Sequence, residues 1–425
     1  MRRHECDIGV PDAQIMLDWH VGTDDKRRQS VATYSKKAHK AAVIDMTGDD
    51  GEVEEITSTL KQTYKRALPT GLYERRTSSI VTERFTPSSS KQKKHTIFHK
   101  DLTSRASTHK SYPYADICAG AGGTATAARK AGFNVVLAVD HEPDACATFR
   151  GNFPDADVRE QDIFNFCTKA SRTKHRVAVA HISFPCQIYS TAHTHPGKND
   201  ERNEAAGYSV MPLLQKLRPR IVTFEQSPNI ARRYLPSFQA LVHQLTELGF
   251  SVRWKVINFA DTGNVQSRNR LFVIAACPGE PLPNFPKRTH GSGEGLKPFT
   301  TVATILSQVP DDIPPHMAAT VEWNIERDVM PYNANRPLQG AITCDGGEAN
   351  IHPNGQRAFN NQELAQLQGF PASHNFVGRK RSIMKQIGNA VPGKAATPFF
   401  KEIMKSLKDF DEEVEDFQNE VIELD

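Results

Sequence analysis

No apolar run in this 425-residue chain approaches the roughly 18 residues needed to span a bilayer; Leu271 to Cys277 is among the longest. A membrane-spanning helix is therefore not expected. The first ten residues, MRRHECDIGV, carry basic side chains with no apolar stretch behind them, so they do not read as a signal peptide. Cysteine is scarce: seven residues, an odd number, scattered without one CxxC pair. That excludes a disulfide scaffold, argues against a structural zinc site, and points to a reducing, intracellular setting; no metal is expected. Neither sign of charge dominates. With 53 Lys and Arg against 49 Asp and Glu, the net charge of +4 permits a polyanionic partner without demanding one. What is present is a globular composition diluted by polar segments, 38% hydrophobic and 24% charged, with mean hydropathy −0.52. The length suits one large domain or two ordinary ones.

The charge is unevenly placed. Residues 61–110 hold 12 Lys and Arg against 3 Asp and Glu, are rich in Ser and Thr, and offer few aliphatic side chains to bury. Residues 1–110 are therefore expected to be a mostly disordered basic and polar region. Within it, Lys91-Gln-Lys-Lys-His95 is a nuclear signal, a DNA-facing arm or simply a solvated linker. The last 15 residues, 411–425, carry eight acids and no base; positions 409–425 read as a solvated helical tail.

From about 113 the texture changes to short apolar runs alternating with helical patterns. Strands are expected at 114–118, 134–139, 177–184, 220–224, 251–258 and 270–277. Helices are expected at 124–131, 143–151, 203–217, 235–248 and 395–407. Alternation of this kind predicts an α/β fold with a parallel or mostly parallel sheet. The main domain is placed at 111–277, a short, proline-rich irregular lobe at 278–335, and a return to the main domain at 336–408.

Ligands of open parallel sheets bind beyond the carboxyl ends of the strands, and five suspicious segments follow predicted strands. Ala119-Gly-Ala-Gly-Gly123 offers a tight glycine turn leading to a helix N-terminus. Asp140, after the second strand, is placed to accept from ribose hydroxyls or to cap a helix opened by Pro143. Asp162 is placed to accept from an exocyclic amine, or is an ordinary loop acid. Together the three outline a pocket for an adenosine-containing cofactor. The absence of GxxxxGK[ST] disfavours ATP, and the absence of GxGxxG disfavours NAD. Cys186, in Phe184-Pro-Cys-Gln187, is a nucleophile aimed at the open sheet edge or a small core residue. The polar segment after it, 188–203, reads as a mobile lid. Glu225, after an apolar strand, is costly to bury charged and so suits a proton donor; the alternative is a solvated acid. Arg268 and Arg270, in Gln266-Ser-Arg-Asn-Arg270, neutralise a phosphate or a carbonyl oxygen, or pair with surface acids.

The ordered set Asp116-Ile-Cys-Ala-Gly-Ala-Gly-Gly123, Pro185-Cys-Gln187, Glu225-Gln226, Gln266-Ser-Arg-Asn-Arg270, Leu367-Gln-Gly-Phe-Pro371 and Gln386-Ile-Gly-Asn-Ala-Val-Pro392 resembles the DNA cytosine-5 methyltransferases. The resemblance covers about 113–400. Phe184 to Thr194 and the Glu225-Gln226-Ser227 triplet look most like the fungal RIP-defective (RID) and Masc-type subgroup, associated with repeat-induced point mutation and premeiotic silencing. The chain departs from the family's usual Phe at Cys118, Pro at Phe184, and Glu-Asn-Val at Glu225-Gln226-Ser227.

The resemblance implies a Rossmann-like methyltransferase sheet, S-adenosylmethionine as cofactor, double-stranded DNA as partner with chromatin proteins beside it, and a nuclear location. The cofactor would meet Cys118, Gly120, Gly122, Gly123, Asp140, His141, Asp162, Ile163, Pro185, Asn389 and Ala390. Cys186 would add to carbon 6 of cytosine. Glu225 would contact N3 and the exocyclic amine, while Arg268 and Arg270 hold the base carbonyl or a neighbouring phosphate. Gln187, Ser190, Lys198 and Arg202 would meet DNA, around a cytosine flipped from the stack. A silent DNA- or chromatin-binding regulator and a tRNA cytosine-5 methyltransferase are the alternatives on the same fold.

Overall fold

The computed structural model describes residues 111–168, 176–185, 187–189, 197, 200–318, 330–338, 340–344 and 351–422. It also describes two short antiparallel strands, β1 (Gln29–Val31) and β2 (Asp45–Thr47). The rest of the expected N-terminal region lies outside the described residues.

The main domain follows the alternation in order. β3 (Pro113–Ile117) leads through the glycine loop to α1 (Gly123–Lys130). β4 (Asn134–Asp140) leads to α2 (Pro143–Asn152), and β5 (Asp157–Glu160) to α3 (Ile163–Thr168). β6 (Val179–Ile182) is followed by α4 (Asp200–Ala206) and α5 (Val210–Leu217). The single helix expected at 203–217 is thus divided by a 3-10 turn, Gly207–Ser209, in which the Gly207 carbonyl accepts from the Gln244 amide. β7 (Ile221–Gln226), α6 (Leu235–Glu247), β8 (Ser251–Asn258) and β9 (Asn269–Ala276) complete the sheet.

The seven strands lie in the order β5-β4-β3-β6-β7-β9-β8. Six run in the same direction, and β9, between β7 and β8, runs antiparallel to both its neighbours. The chain winds outward in opposite directions from β3, so a crevice is expected between the carboxyl ends of β3 and β6. Alternate residues of each strand feed two cores. Ile117, Val139, Ile182 and Phe224 pack with Leu213, Leu241 and Leu245 on one face. Tyr114, Val135, Ile274 and Phe272 pack with Ala125, Phe149, Phe399 and Phe400 on the other.

After β9 the chain builds a lobe with α7 (Val302–Leu306) and α8 (Pro315–Ala318), then α9 (Asn361–Gln368) and α10 (Lys380–Asn389). Leu364, Leu367, Phe370, Phe376 and Ile383 give it a core that also takes in Ala121 of the glycine loop and Val265. α9 starts on a reciprocal cap: the Asn360 side chain accepts from Glu363 N–H, and Glu363 accepts from Asn360 N–H.

The C-terminal segment departs from a freely solvated tail. α11 runs without a break from Gly393 to Ile422, and the Asp411 carboxylate is held by Tyr112 Oη and Arg220 Nη1, each at 2.9 Å. Arg220 is mostly buried and also meets Glu280, so its two acids replace the water it has lost.

Candidate active site

The crevice edge is built from three loops. In the first, Cys118, Gly120 and Gly122 all take left-handed backbone angles, with φ of 57°, 53° and 83°. The glycines differ in why they are needed. A Cβ on Gly122 would lie 2.8 Å from the Phe153 ring, and one on Gly123 would lie 2.4 Å from the Val391 carbonyl oxygen. Only Gly120 of the three faces open space. Two of them are therefore fixed by the protein's own packing.

Asp116 secures the loop from below. Its Oδ2 accepts from Thr124 Oγ1 at 2.6 Å and from Ala125 N–H at 3.1 Å, so a strand carboxylate satisfies the free N-terminus of α1. Complete burial raises its pKa to about 7.

A cavity of about 500 Å³, counting its open mouth, lies beside this loop, lined by Cys118, Asp140, His141, Asp162, Ile163, Pro185 and Arg202 among others. Asp140 Oδ2 accepts from Gly120 N–H at 2.8 Å and Oδ1 from Glu142 N–H at 2.9 Å. It is not the cap of α2, a position held by Glu142, and each oxygen keeps a lone pair. His141 is exposed, 3.8 Å from Asp140. Ile163, Pro185 and Cys118 supply the apolar wall, and burial keeps the Cys118 thiol protonated by pushing its pKa well up. Asp162 Oδ1 accepts from Phe164 N–H at 2.8 Å, and its Oδ2 pairs with Arg202. Two acids over an apolar wall suit a cationic adenosine derivative. Arg202, expected at DNA, points instead into this cavity from α4. The lid expected at 188–203 thus ends in a helix anchored to Asp162.

Asn389 and Ala390 reach the loop from behind rather than lining the cavity. Ala390 packs against Gly123, while Asn389 Oδ1 accepts from Cys344 Sγ at 2.8 Å. Gln368 Nε2 donates to the Ala390 carbonyl at 2.6 Å, and Gln266 Nε2 donates to Gln368 Oε1 at 2.5 Å.

On the far side of the crevice, Glu225 lies within β7, not beyond it, opposite Phe272 of β9. It is 5% exposed. Arg270 Nε sits 2.9 Å from Glu225 Oε1, so the buried carboxylate has a cation beside it. Arg268 is a correction. It is buried, and its Nη1 donates toward the carbonyls of Ile342 and Gly388 at 3.4 and 3.3 Å. It ties the lobe to the sheet and does not face a substrate, because the side chain leaves just before β9 and turns inward.

The residues after Glu225 bracket position 186. Gln226 Nε2 donates to the Phe184 carbonyl at 2.7 Å, and Ser227 Oγ donates to the Tyr189 carbonyl at 2.8 Å. Gln187 opens the 3-10 turn Gln187–Tyr189. Cys186, Ser190 and Lys198 lie outside the described residues.

One loop partner has no sequence signal of its own. His374, buried among Phe370 and Phe376, has Nε2 3.0 Å from the Ala121 carbonyl oxygen. Burial lowers its pKa to about 4, so the neutral ring donates from Nε2.

The chain is similar to known proteins over most of residues 112–405. The sequence pattern of the C-5 cytosine-specific DNA methylases matches residues 112–333 and 316–405. A Type II methyltransferase of Haemophilus parahaemolyticus, M1.HphI, is 29% identical over 337 residues, 69% of this chain and 87% of that one. M.NgoMIV of Neisseria gonorrhoeae, also a Type II methyltransferase, is 28% identical over 69% of this chain and 97% of its own length. Among solved structures, DNMT2 of Spodoptera frugiperda superposes with TM-score 0.50 at 18% identity, covering 70% of this chain and 99% of that one. The Entamoeba histolytica methyltransferase EhMeth superposes with TM-score 0.51 at 13% identity, over 70% and 99%. These two likenesses speak to the fold alone.

Proposed function

Because the chain belongs to the C-5 cytosine-specific DNA methylase family, we propose that it methylates carbon 5 of a cytosine flipped out of double-stranded DNA. It is a cytosine-5 methyltransferase, and S-adenosylmethionine is the methyl donor. When bound, that donor supplies an electrophilic methyl group. The observation that carries the reading is Glu225, held beside Arg270 at the sheet edge that also presents the glycine loop.

Carbon 5 of cytosine is a weak nucleophile. Addition of the Cys186 thiolate to carbon 6 would convert the ring to an enamine able to accept the methyl group at carbon 5. A base would then take the carbon 5 proton and the thiolate would leave carbon 6, restoring the aromatic ring and the free cysteine, so one hard step is divided into easier ones. Glu225 would bond N3 and the exocyclic amine, stabilising the charge that addition creates. Arg270, whose Nε lies beside Glu225 and whose Nη1 donates to the Asn269 carbonyl, would orient that carboxylate and, through its remaining N–H groups, hold the base carbonyl. Asp140 would hold ribose hydroxyls through its free lone pairs, Asp162 the adenine amine, and Cys118, Ile163 and Pro185 the apolar faces. Gln226 and Ser227, with their grip on residues 184 and 189, set the segment that carries the nucleophile.

The finer setting belongs to the same proposal: a fungal RID or Masc-type enzyme, nuclear, acting in methylation-linked gene or repeat silencing with chromatin proteins beside it. Phe184 to Thr194 and Glu225-Gln226-Ser227 support it by resemblance. Location of a fluorescent fusion, and repeat methylation in a strain lacking the gene, test that setting.

Trapping tests the chemistry. The full chain with S-adenosylmethionine should form a covalent adduct on 5-fluorocytosine duplex DNA and transfer labelled methyl groups to plain duplex; Cys186→Ala should do neither. Tight duplex binding without trapping or transfer would favour a silent regulator. Transfer to tRNA but not to duplex would make it an RNA enzyme.

A further inference from the structure

At the end of β7, directly after the strand that carries Glu225, the chain forms a short 3-10 turn, Pro228–Ala231, and then Arg232, Arg233, Tyr234 and Leu235 before α6 proceeds. Both arginines are exposed. Tyr234 is 39% and Leu235 47% exposed. Among the described residues only six large hydrophobic side chains are exposed, and two of them stand here side by side, next to two cations.

The segment is rigid. The amides of Arg232, Arg233 and Tyr234 all donate to the Asn229 carbonyl, at 3.1, 2.8 and 3.1 Å. Asn229 Nδ2 and Ser227 Oγ both donate to the Tyr189 carbonyl. The Tyr234 ring meets the buried Tyr189 ring edge-on at 5.2 Å. Its frame is therefore the turn that begins one residue after position 186. Glu204 of α4 accepts from Ser237 Oγ at 3.3 Å.

We infer that Arg232, Arg233 and Tyr234 form a contact surface for the nucleic-acid backbone at the rim of the active site, the arginines on phosphates and the tyrosine on a sugar or base face. The inference rests on the proposed duplex substrate. Guanidinium groups match phosphate oxygens in pairs, and an aromatic ring beside them adds a contact that salt does not screen. Tied through Ser227 and Asn229 to the Tyr189 carbonyl, the three side chains would meet the strand at the rim of the site.

The test measures binding of the full chain to a labelled cytosine-containing duplex across a series of salt concentrations. Each phosphate contact contributes about 0.9 to the slope of log K against log salt. Arg232→Ala with Arg233→Ala should lower that slope by about 1.8 and weaken binding about 10-fold or more at roughly 0.1 M salt. The Arg232→Lys, Arg233→Lys pair should keep the slope. Tyr234→Ala should weaken binding about 5-fold at unchanged slope. Cofactor affinity and melting temperature should hold throughout, which separates a contact from a folding defect. If wild type binds and methylates duplex while the alanine pair keeps the wild-type affinity and slope, this surface is wrong and the duplex reading stands. If wild type neither binds nor methylates duplex, both fail. If the alanine pair loses affinity for tRNA only, the surface belongs to RNA and the inference as stated is overturned.

Discussion

His374 Nε2 lies 3.0 Å from the carbonyl oxygen of Ala121, across 253 positions of sequence. The bond adds a second hold on the Ala121–Gly122 peptide, whose Gly122 N–H donates to the Ala119 carbonyl at 3.0 Å. A hydrogen bond of this kind is worth about 1 kcal/mol net. His374→Phe, which keeps a ring but loses the donor, should therefore weaken S-adenosylmethionine about 5- to 10-fold by calorimetry. His374→Gln, which keeps a donor, should recover most of it.

The same histidine gives a pH signature. Its pKa is about 4 in the fold and near 6.5 in the unfolded chain. Between those values the unfolded chain binds the extra proton, so the contribution is complete above pH 6.5 and is lost as pH falls toward 4. The stability difference between wild type and His374→Phe should be constant above pH 7. Below 6.5 it should shrink by about 1.4 kcal/mol per pH unit. Urea unfolding at closely spaced pH values reads it.

Glu225 and Arg270 form a largely buried ion pair, and the proposed chemistry assigns the carboxylate to the base. Glu225→Gln should lower kcat about 100-fold or more, the usual scale for a lost proton donor, with duplex affinity within a few fold. Arg270→Ala strands a buried carboxylate and should cost both kcat and stability, about 2 kcal/mol or more. Single-turnover methyl transfer and thermal unfolding separate the two variants.

Gly120→Ala and Gly122→Ala should diverge. At Gly122 a methyl group meets the Phe153 ring at 2.8 Å as well as a left-handed backbone, whereas at Gly120 only the backbone angle opposes it. About 1 kcal/mol of destabilisation is expected at Gly120 and about 3 kcal/mol at Gly122, both visible as shifts in melting temperature.

Arg202→Ala should weaken S-adenosylmethionine about 3-fold, since the side chain walls the cavity and restrains Asp162. The salt slope of duplex binding should not move, in contrast with a phosphate contact.

Much of this was legible in the sequence where structure is local. Apolar alternation located six of the seven main-sheet strands within a few residues, and the glycine run marked the loop before α1; β5, with the mostly polar sequence DVRE at the sheet edge, carried no such alternation. The pairing of Glu225 with Arg270 was not legible, because an antiparallel β9 inserted between β7 and β8 sets it. Nor was the inward turn of Arg268, whose acceptors at Ile342 and Gly388 come from distant chain. Arg202 read as a DNA contact because nothing local shows that α4 leans on Asp162. His374 stands in an ordinary aromatic stretch, and only the third core brings it against Ala121.

The glycine loop is made early and gripped late. Residues 118–123 emerge well before Val391 and Gly393, which pack against Gly123. During translation the cavity beside the loop thus stays open-backed until residues 391–393 have followed. A truncated product ending soon after β9 would hold a sheet without a finished pocket, so premature termination should yield no competitor for the methyl donor.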